Sequence, residues 1–141
     1  MVQGALRPRG TPVVPIEVAG QTYEAILDTG FEGDLQLPDV FQPIVGGNFV
    51  IREPIQYGDG SIGHVDVYEV AVRFDGEDRV MRTQFAGSDE LILGVEAIKD
   101  YRLEINFVAR SVLLERVAPT PRSYPTPAAR PGFFFSPLPV R

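Results

Sequence analysis

Few side chains in this 141-residue chain have the type and spacing to do chemistry. With no cysteine and one histidine, thiol nucleophiles, disulfides, thiolate metal sites and the usual zinc clusters cannot be assembled, and neither a metal nor a cofactor is expected. Carboxylates remain, and Asp28 is the one in a telling context. It follows the apolar strand end Ala25-Ile26-Leu27 and precedes Thr29-Gly30, so the acid is expected in a poorly hydrated setting where its proton affinity can be tuned. Such a group suits proton transfer. The plainer alternative is a β-turn in which Asp and Gly only reverse the chain.

Three other constellations have the look of functional motifs. Gly58-Asp59-Gly60-Ser61-Ile62-Gly63 fits the G-x-G-x-x-G pattern of nucleotide loops. That function needs a helix after the loop to hold a pyrophosphate, and here a strand pattern continues instead. Ser61 and His64 raise a serine hydrolase, but a nucleophile elbow would need glycine at 59, where Asp59 stands; His64 reads as a surface strand side chain. Asp75, Glu77 and Asp78 lack the longer ligand pattern of a calcium loop and read as a solvated turn.

The elements that must position Asp28 are mostly strands. Val13 to Val18 and Thr22 to Leu27 form an opening hairpin around Ala19-Gly20-Gln21, with Tyr23, Ala25 and Leu27 sharing one face. Leu35 and Leu37 mark a short strand that Pro38 ends, and residues 39–47 have room for one helical turn before Gly46-Gly47. Phe49 to Tyr57 and Ile62 to Phe74 are long strands around Gly58-Asp59-Gly60-Ser61, and a further turn falls at residues 75–78. Val80 to Phe85 and Leu91 to Leu93 continue the strands. Gly94 to Tyr101 has the composition of a helix of about two turns, and a last hairpin turns at Val108-Ala109-Arg110. The spacing points to a closed or sandwich-like β domain.

Composition sets the outer bounds. One core of ordinary size is expected, with 14 glycines and 13 prolines favouring short strands and tight turns. The net charge of −6 argues against nucleic-acid and anionic-membrane partners. Residues 1–117 hold all 19 acids, whereas residues 118–141 hold 7 of the 13 prolines, three arginines and no acid. The chain therefore divides into an N-terminal arm at 1–11, a compact domain at 12–117 and a Pro-rich basic tail at 118–141. No signal peptide or apolar membrane span is visible, so a soluble, cytoplasmic protein is expected.

The stretch Tyr23 to Pro38, with Asp28-Thr29-Gly30 at its centre, resembles the active-site segment of retropepsin-like aspartic proteases. A second family element is similar too: Leu91-Ile92-Leu93-Gly94 leads into a helical segment, with Gly94 lying 64 positions after Gly30. The resemblance covers roughly residues 12–116 and is that of a bacterial-type single-domain member. It implies a mostly β fold, the single-lobe retropepsin-like acid protease barrel, with one short helix near the C-terminal end of the body. It implies Asp28 as the catalytic carboxylate, Thr29 as the hydroxyl that bonds across to a partner loop, and Gly30 as the place where substrate backbone passes close. Leu93 and Gly94 would support that loop. Tyr57, Gly58, Asp59, Gly60, Ser61 and Ile62 would form a flap over substrate, with Phe31 lining the floor.

Peptide hydrolysis by this chemistry needs two carboxyls sharing one proton, and only one Asp-Thr-Gly is present, so the resemblance implies a homodimer acting on peptide or protein substrates. Phe31 stands where many members have a small residue, and Val95 where retroviral enzymes carry arginine, so viral subsite assignments do not transfer. A catalytically idle dimerisation or peptide-binding module is the alternative function. For the tail, with Phe133-Phe134-Phe135 near its end, disorder, packing on a body, and self-inhibition or self-cleavage in the cleft are the three readings.

Overall fold

The computed structural model describes residues 1–117. The tail at 118–141, with the three arrangements expected of it, lies outside the described residues. Ten strands and two one-turn helices follow one another along the chain: β1 (Val2–Leu6), β2 (Pro12–Val18), β3 (Gln21–Leu27), β4 (Leu35–Pro38), a 3-10 turn at Asp39–Phe41, α1 (Gln42–Val45), β5 (Asn48–Gln56), β6 (Ile62–Phe74), β7 (Glu77–Ala86), β8 (Leu91–Leu93), α2 (Val95–Ile98), β9 (Tyr101–Asn106) and β10 (Ser111–Arg116).

Alternation explains the early strands. Val14, Ile16 and Val18 of β2 and Ala25 and Leu27 of β3 turn to the core, and the two strands pair antiparallel from Val13↔Ile26 to Val18↔Gln21. Their connection is the expected tight turn, with Ala19 at φ 52° and Gly20 at φ 83°. Two consecutive positive φ values match the right-handed twist of flanking strands.

One sheet holds all ten strands, in the order β5-β6-β7-β4-β8-β3-β2-β1-β10-β9. A further β2–β6 pairing, Glu17↔Arg73, joins distant positions of that order. The six strands β6, β7, β4, β8, β3 and β2 therefore form a ring around a shared core. Ile16, Leu35, Leu37, Phe74, Met81, Leu93 and Leu114 are all under 2% exposed. Among the described residues, Thr83 is the one polar residue buried with them, and its hydroxyl donates to the Met81 carbonyl at 3.1 Å, so its cost of burial is met.

Residues 1–11, set apart in the sequence as an arm, supply β1. It pairs with β10 from Val2↔Leu114 to Ala5↔Ser111, and with β2 at Ala5↔Val13 and Leu6↔Pro12. Gly4 is required there, because a Cβ would run into the Val13 carbonyl oxygen.

One expected element is shorter than its composition suggested. The helix after Gly94 covers four residues rather than about two turns. Tyr101 is taken into β9, where it pairs with Arg116, and the Asp100 carbonyl accepts the Val117 amide at 2.9 Å. Hairpin pairing outcompetes helix propensity, which is a weak preference of under ~1 kcal/mol per residue.

Of the acids at the 75–78 turn, Glu77 and Asp78 are exposed and only Asp75 is covered. Asp75 accepts hydrogen bonds from the Tyr101 hydroxyl at 2.9 Å and the Met1 amine at 3.0 Å, Glu77 pairs with Arg116 and Asp78 with Arg73. Burial pushes the Asp75 carboxyl up, but those two hydrogen bonds outweigh it and hold the group below its ordinary value.

Candidate active site

The strand order builds one unusual junction. β8 runs parallel to β3 on one side, with Leu27↔Leu93 in register, and antiparallel to β4 on the other, with Leu35↔Leu93. Residues 28–34 therefore arch from β3 to β4 across the end of β8. Both feet of the arch are fastened to that end: the Asp28 amide donates to the Leu93 carbonyl at 3.0 Å, and the Gly94 amide donates to the Asp34 carbonyl at 2.9 Å.

α2 ties down the middle of the arch. The amides of Val95 and Glu96 donate to the carbonyls of Phe31 at 2.9 Å and Gly33 at 3.3 Å. These amides have no partner inside a helix, so the arch satisfies groups that would otherwise be orphaned. Gly94 permits the approach: a Cβ there would strike the Gly33 carbonyl oxygen and lie 2.6 Å from that of Phe31. Leu93 and Gly94 thus make the hydrogen bonds that fasten both feet of the arch. Asp34, not singled out in the sequence, adds a side-chain tie by accepting the Arg82 amide at 2.9 Å.

Within the arch, the Asp28 carboxylate caps its own turn. Its Oδ1 accepts the Gly30 amide at 2.9 Å, and its carbonyl accepts the Phe31 amide at 3.0 Å. A Cβ at Gly30 would lie 3.2 Å from that Oδ1. Asp28, Thr29 and Gly30 are all exposed in the single chain. The poorly hydrated setting expected from Ala25-Ile26-Leu27 is therefore not supplied by this chain alone: Leu27 is buried, but the acid lies one residue past the strand, on the surface.

The flap candidates form the exposed tip of the β5–β6 hairpin. The Tyr57 amide donates to the Ser61 carbonyl at 2.8 Å and the Gly60 amide to the Tyr57 carbonyl at 2.9 Å, with Gly60 at φ 88°. Asp59 accepts from the Ser61 hydroxyl at 2.6 Å and the Ser61 amide at 2.9 Å, and these bonds hold its carboxyl below the ordinary range. Gly58 is exposed at the turn, and Tyr57 and Ile62 flank it at 50% and 69% exposure. No helix follows Gly63, which continues in β6, so a dinucleotide loop is absent here. His64 is an exposed strand residue.

A cavity of about 590 Å³ links the arch to this hairpin. Phe31 lines it, as does Glu53 of β5, but the tip residues 57–62 do not. The structure therefore brings Phe31 together with the body of the hairpin rather than with its tip. Sequence reasoning missed this lining, which also takes in Glu32 of the arch, Val67 and Glu69 of β6 and Val80 and Arg82 of β7. The outward positions of the acids along β5 and β6 were readable; their convergence depends on a fold-back no local pattern reports.

No family model and no curated protein matches the chain. Among solved structures, it is similar to a retropepsin-like aspartic protease from Rickettsia conorii, with a TM-score of 0.56 at 14% identity over 79% of this chain and 87% of that one. It is also similar to the protease of Simian Foamy Virus (mac), with a TM-score of 0.51 at 17% identity over 62% of this chain and 91% of that one. The architecture is thus retropepsin-like: mostly strands, with Asp28-Thr29-Gly30 on the arch and the short helix α2 behind it.

Proposed function

We propose that two copies of this chain form an aspartic endopeptidase, with the Asp28 carboxyls meeting at the two-fold axis. The observation that carries the proposal is the presentation of Asp28-Thr29-Gly30 on a retropepsin-like frame, held at both feet yet uncovered. A surface acid so firmly positioned has no structural need to be exposed, and an isologous contact would cover it with its own twin. Thr29, also exposed, is then placed to hydrogen-bond the partner's loop.

The chemistry needs no cofactor. Two close carboxyls share one proton, because like charges at that separation cannot both ionise easily. The ionised acid takes a proton from water while the protonated one gives its own to the substrate carbonyl oxygen, leaving a tetrahedral diol. A proton then passes to the amide nitrogen as the carbon–nitrogen bond breaks. Gly30 lets the substrate backbone pass close, and the hairpin with Tyr57, Gly58, Asp59, Gly60, Ser61 and Ile62 closes over it and excludes water. Activity falls at alkaline pH, where the shared proton is lost. A cytoplasmic setting belongs to this reading, supported by a chain without cysteine; no helix among the described residues is long and apolar enough to cross a membrane.

Cleavage of a mixed peptide library by wild type and Asp28→Asn tests the proposal. Loss of cleavage by at least ~10³-fold with the dimer retained is expected. Equal cleavage by both proteins would overturn it and leave the fold as a peptide-binding or dimerisation module.

A further inference from the structure

The cavity beside the arch carries far more negative charge than its architecture uses. Five carboxylates line it against one guanidinium. Two of the five have structural partners: Asp34 accepts the Arg82 amide, and Glu96 pairs with Lys99 at 2.6 Å. Glu32, Glu53 and Glu69 make neither an ion pair nor a side-chain hydrogen bond with the described residues. Arg82 stands opposite Glu69 in the β6–β7 register and can offset one charge at most.

Acids concentrated on a concave surface reinforce one another's field and draw in a counter-charge. They are too dispersed to chelate one, since no three of the described acidic or histidine side chains group closely enough to hold a metal ion. The lining is also partly apolar, with Phe31 on the arch, Val67 two residues from Glu69 on β6 and the 65%-exposed Val80 two residues from Arg82 on β7. Apolar side chains interspersed with separated carboxylates match a side chain with a hydrocarbon stem and a cationic head.

We propose that this cavity selects a lysine or arginine side chain of an extended peptide, with Glu53 and Glu69 as the specificity-determining residues and Phe31 receiving the stem. The proposal rests on the proteolytic reading above and adds the class of substrate. Glu53 and Glu69 lie on the body of the hairpin and Glu32 on the arch, so the cationic head is held between the stem of the proposed flap and the loop that carries Asp28. Nucleic acid is repelled by the same field.

The test has two arms. In the first, a fluorescent peptide series with lysine, citrulline, norleucine or glutamate at one position is bound to the Asp28→Asn protein, which reads the cavity without requiring cleavage. Lysine is expected to bind about tenfold more tightly than citrulline, a gap that narrows at high salt because exposed pairs are weak singly and screened. Glu53→Gln with Glu69→Gln should reduce the lysine-to-citrulline ratio to near one, whatever it does to binding overall. In the second, the same peptides are offered to wild type and kcat/KM is compared.

Equal binding of lysine and citrulline peptides, or a ratio unmoved by the double substitution, overturns the inference even if wild type cleaves both. A preference that vanishes on adding millimolar calcium, with calcium itself bound, would overturn it in favour of a metal site. Cleavage absent from wild type but a lysine preference intact in the first arm sinks the proteolytic reading and leaves the basic-peptide site standing.

Discussion

At the residue scale, the site rests on Gly94 as much as on Asp28. Its missing Cβ lets the carbonyls of Phe31 and Gly33 reach α2, and any larger residue must push the arch away from β8. Gly94→Ala is expected to cost about 3 kcal/mol, at the upper end of overpacking because the colliding atoms are backbone. Urea unfolding measures this, and an unchanged midpoint would show that the arch gives way freely. Gly60 sits at φ 88° with nothing within 4 Å of a notional Cβ, so a side chain there would be strained by conformation alone. Gly60→Ala should therefore cost only ~1 kcal/mol, while slowing cleavage if the tip closes over substrate. Asp28 itself is exposed and uses its Oδ1 to cap a local turn, so Asn, which can accept the same bond, should leave stability within about 0.5 kcal/mol of wild type.

At the element scale, the turn joining β6 to β7 fastens a distant hairpin. Asp75 is largely covered, with 13% side-chain exposure, and Tyr101 at the start of β9 donates to it. Because its folded-state carboxyl sits below the ordinary value, it contributes stability that is complete above the unfolded pKa and is lost as pH falls through the lower, folded one. Asp75→Asn keeps the positive φ of 54° comfortable and removes the charge together with one of the two acceptor oxygens that Met1 and Tyr101 use. The wild-type advantage over Asp75→Asn should be about 1 kcal/mol at pH 6 and should shrink as pH drops below ~4. Thermal unfolding across that range is the check, and a difference independent of pH would refute the assignment.

The same scale shows what the sequence could and could not say. The β2–β3 hairpin was legible because alternation and turn chemistry agree at Tyr23, Ala25, Leu27 and Gly20. The arch was visible as Asp28-Thr29-Gly30, and its supports as Leu93-Gly94, through a resemblance in motif and not through any local pattern linking the two. β8 has three apolar residues and no periodicity to name its neighbours, so its parallel pairing with β3 was invisible. The length of α2 was misjudged because Tyr101 serves a hairpin partner 15 residues away. The acid-lined cavity escaped notice since Glu32, Glu53 and Glu69 are outward-facing residues on separate segments, and solvent-facing acids are ordinary until topology gathers them.

At the scale of the whole molecule, the proposed enzyme is complete only as a pair, which makes concentration a variable. Specific activity should fall on dilution through the dimer dissociation constant. Mixing wild type with Asp28→Asn at fixed total protein should give activity close to the square of the wild-type fraction, because only homodimers carry two intact acids. A linear dependence would show that single chains are competent and would remove the shared-proton mechanism.

The fastening of the arch to β8 also bears on how the protein comes into being. Asp28 is translated early, yet its amide finds its acceptor only at Leu93, and β1 closes onto β10 still later. Pairings so distant along the chain form slowly, since a long loop must be closed before any contact rewards it. A polypeptide still on the ribosome therefore carries its acid on an unorganised segment, and the proposed peptidase activity would have to wait until almost all of the domain has emerged.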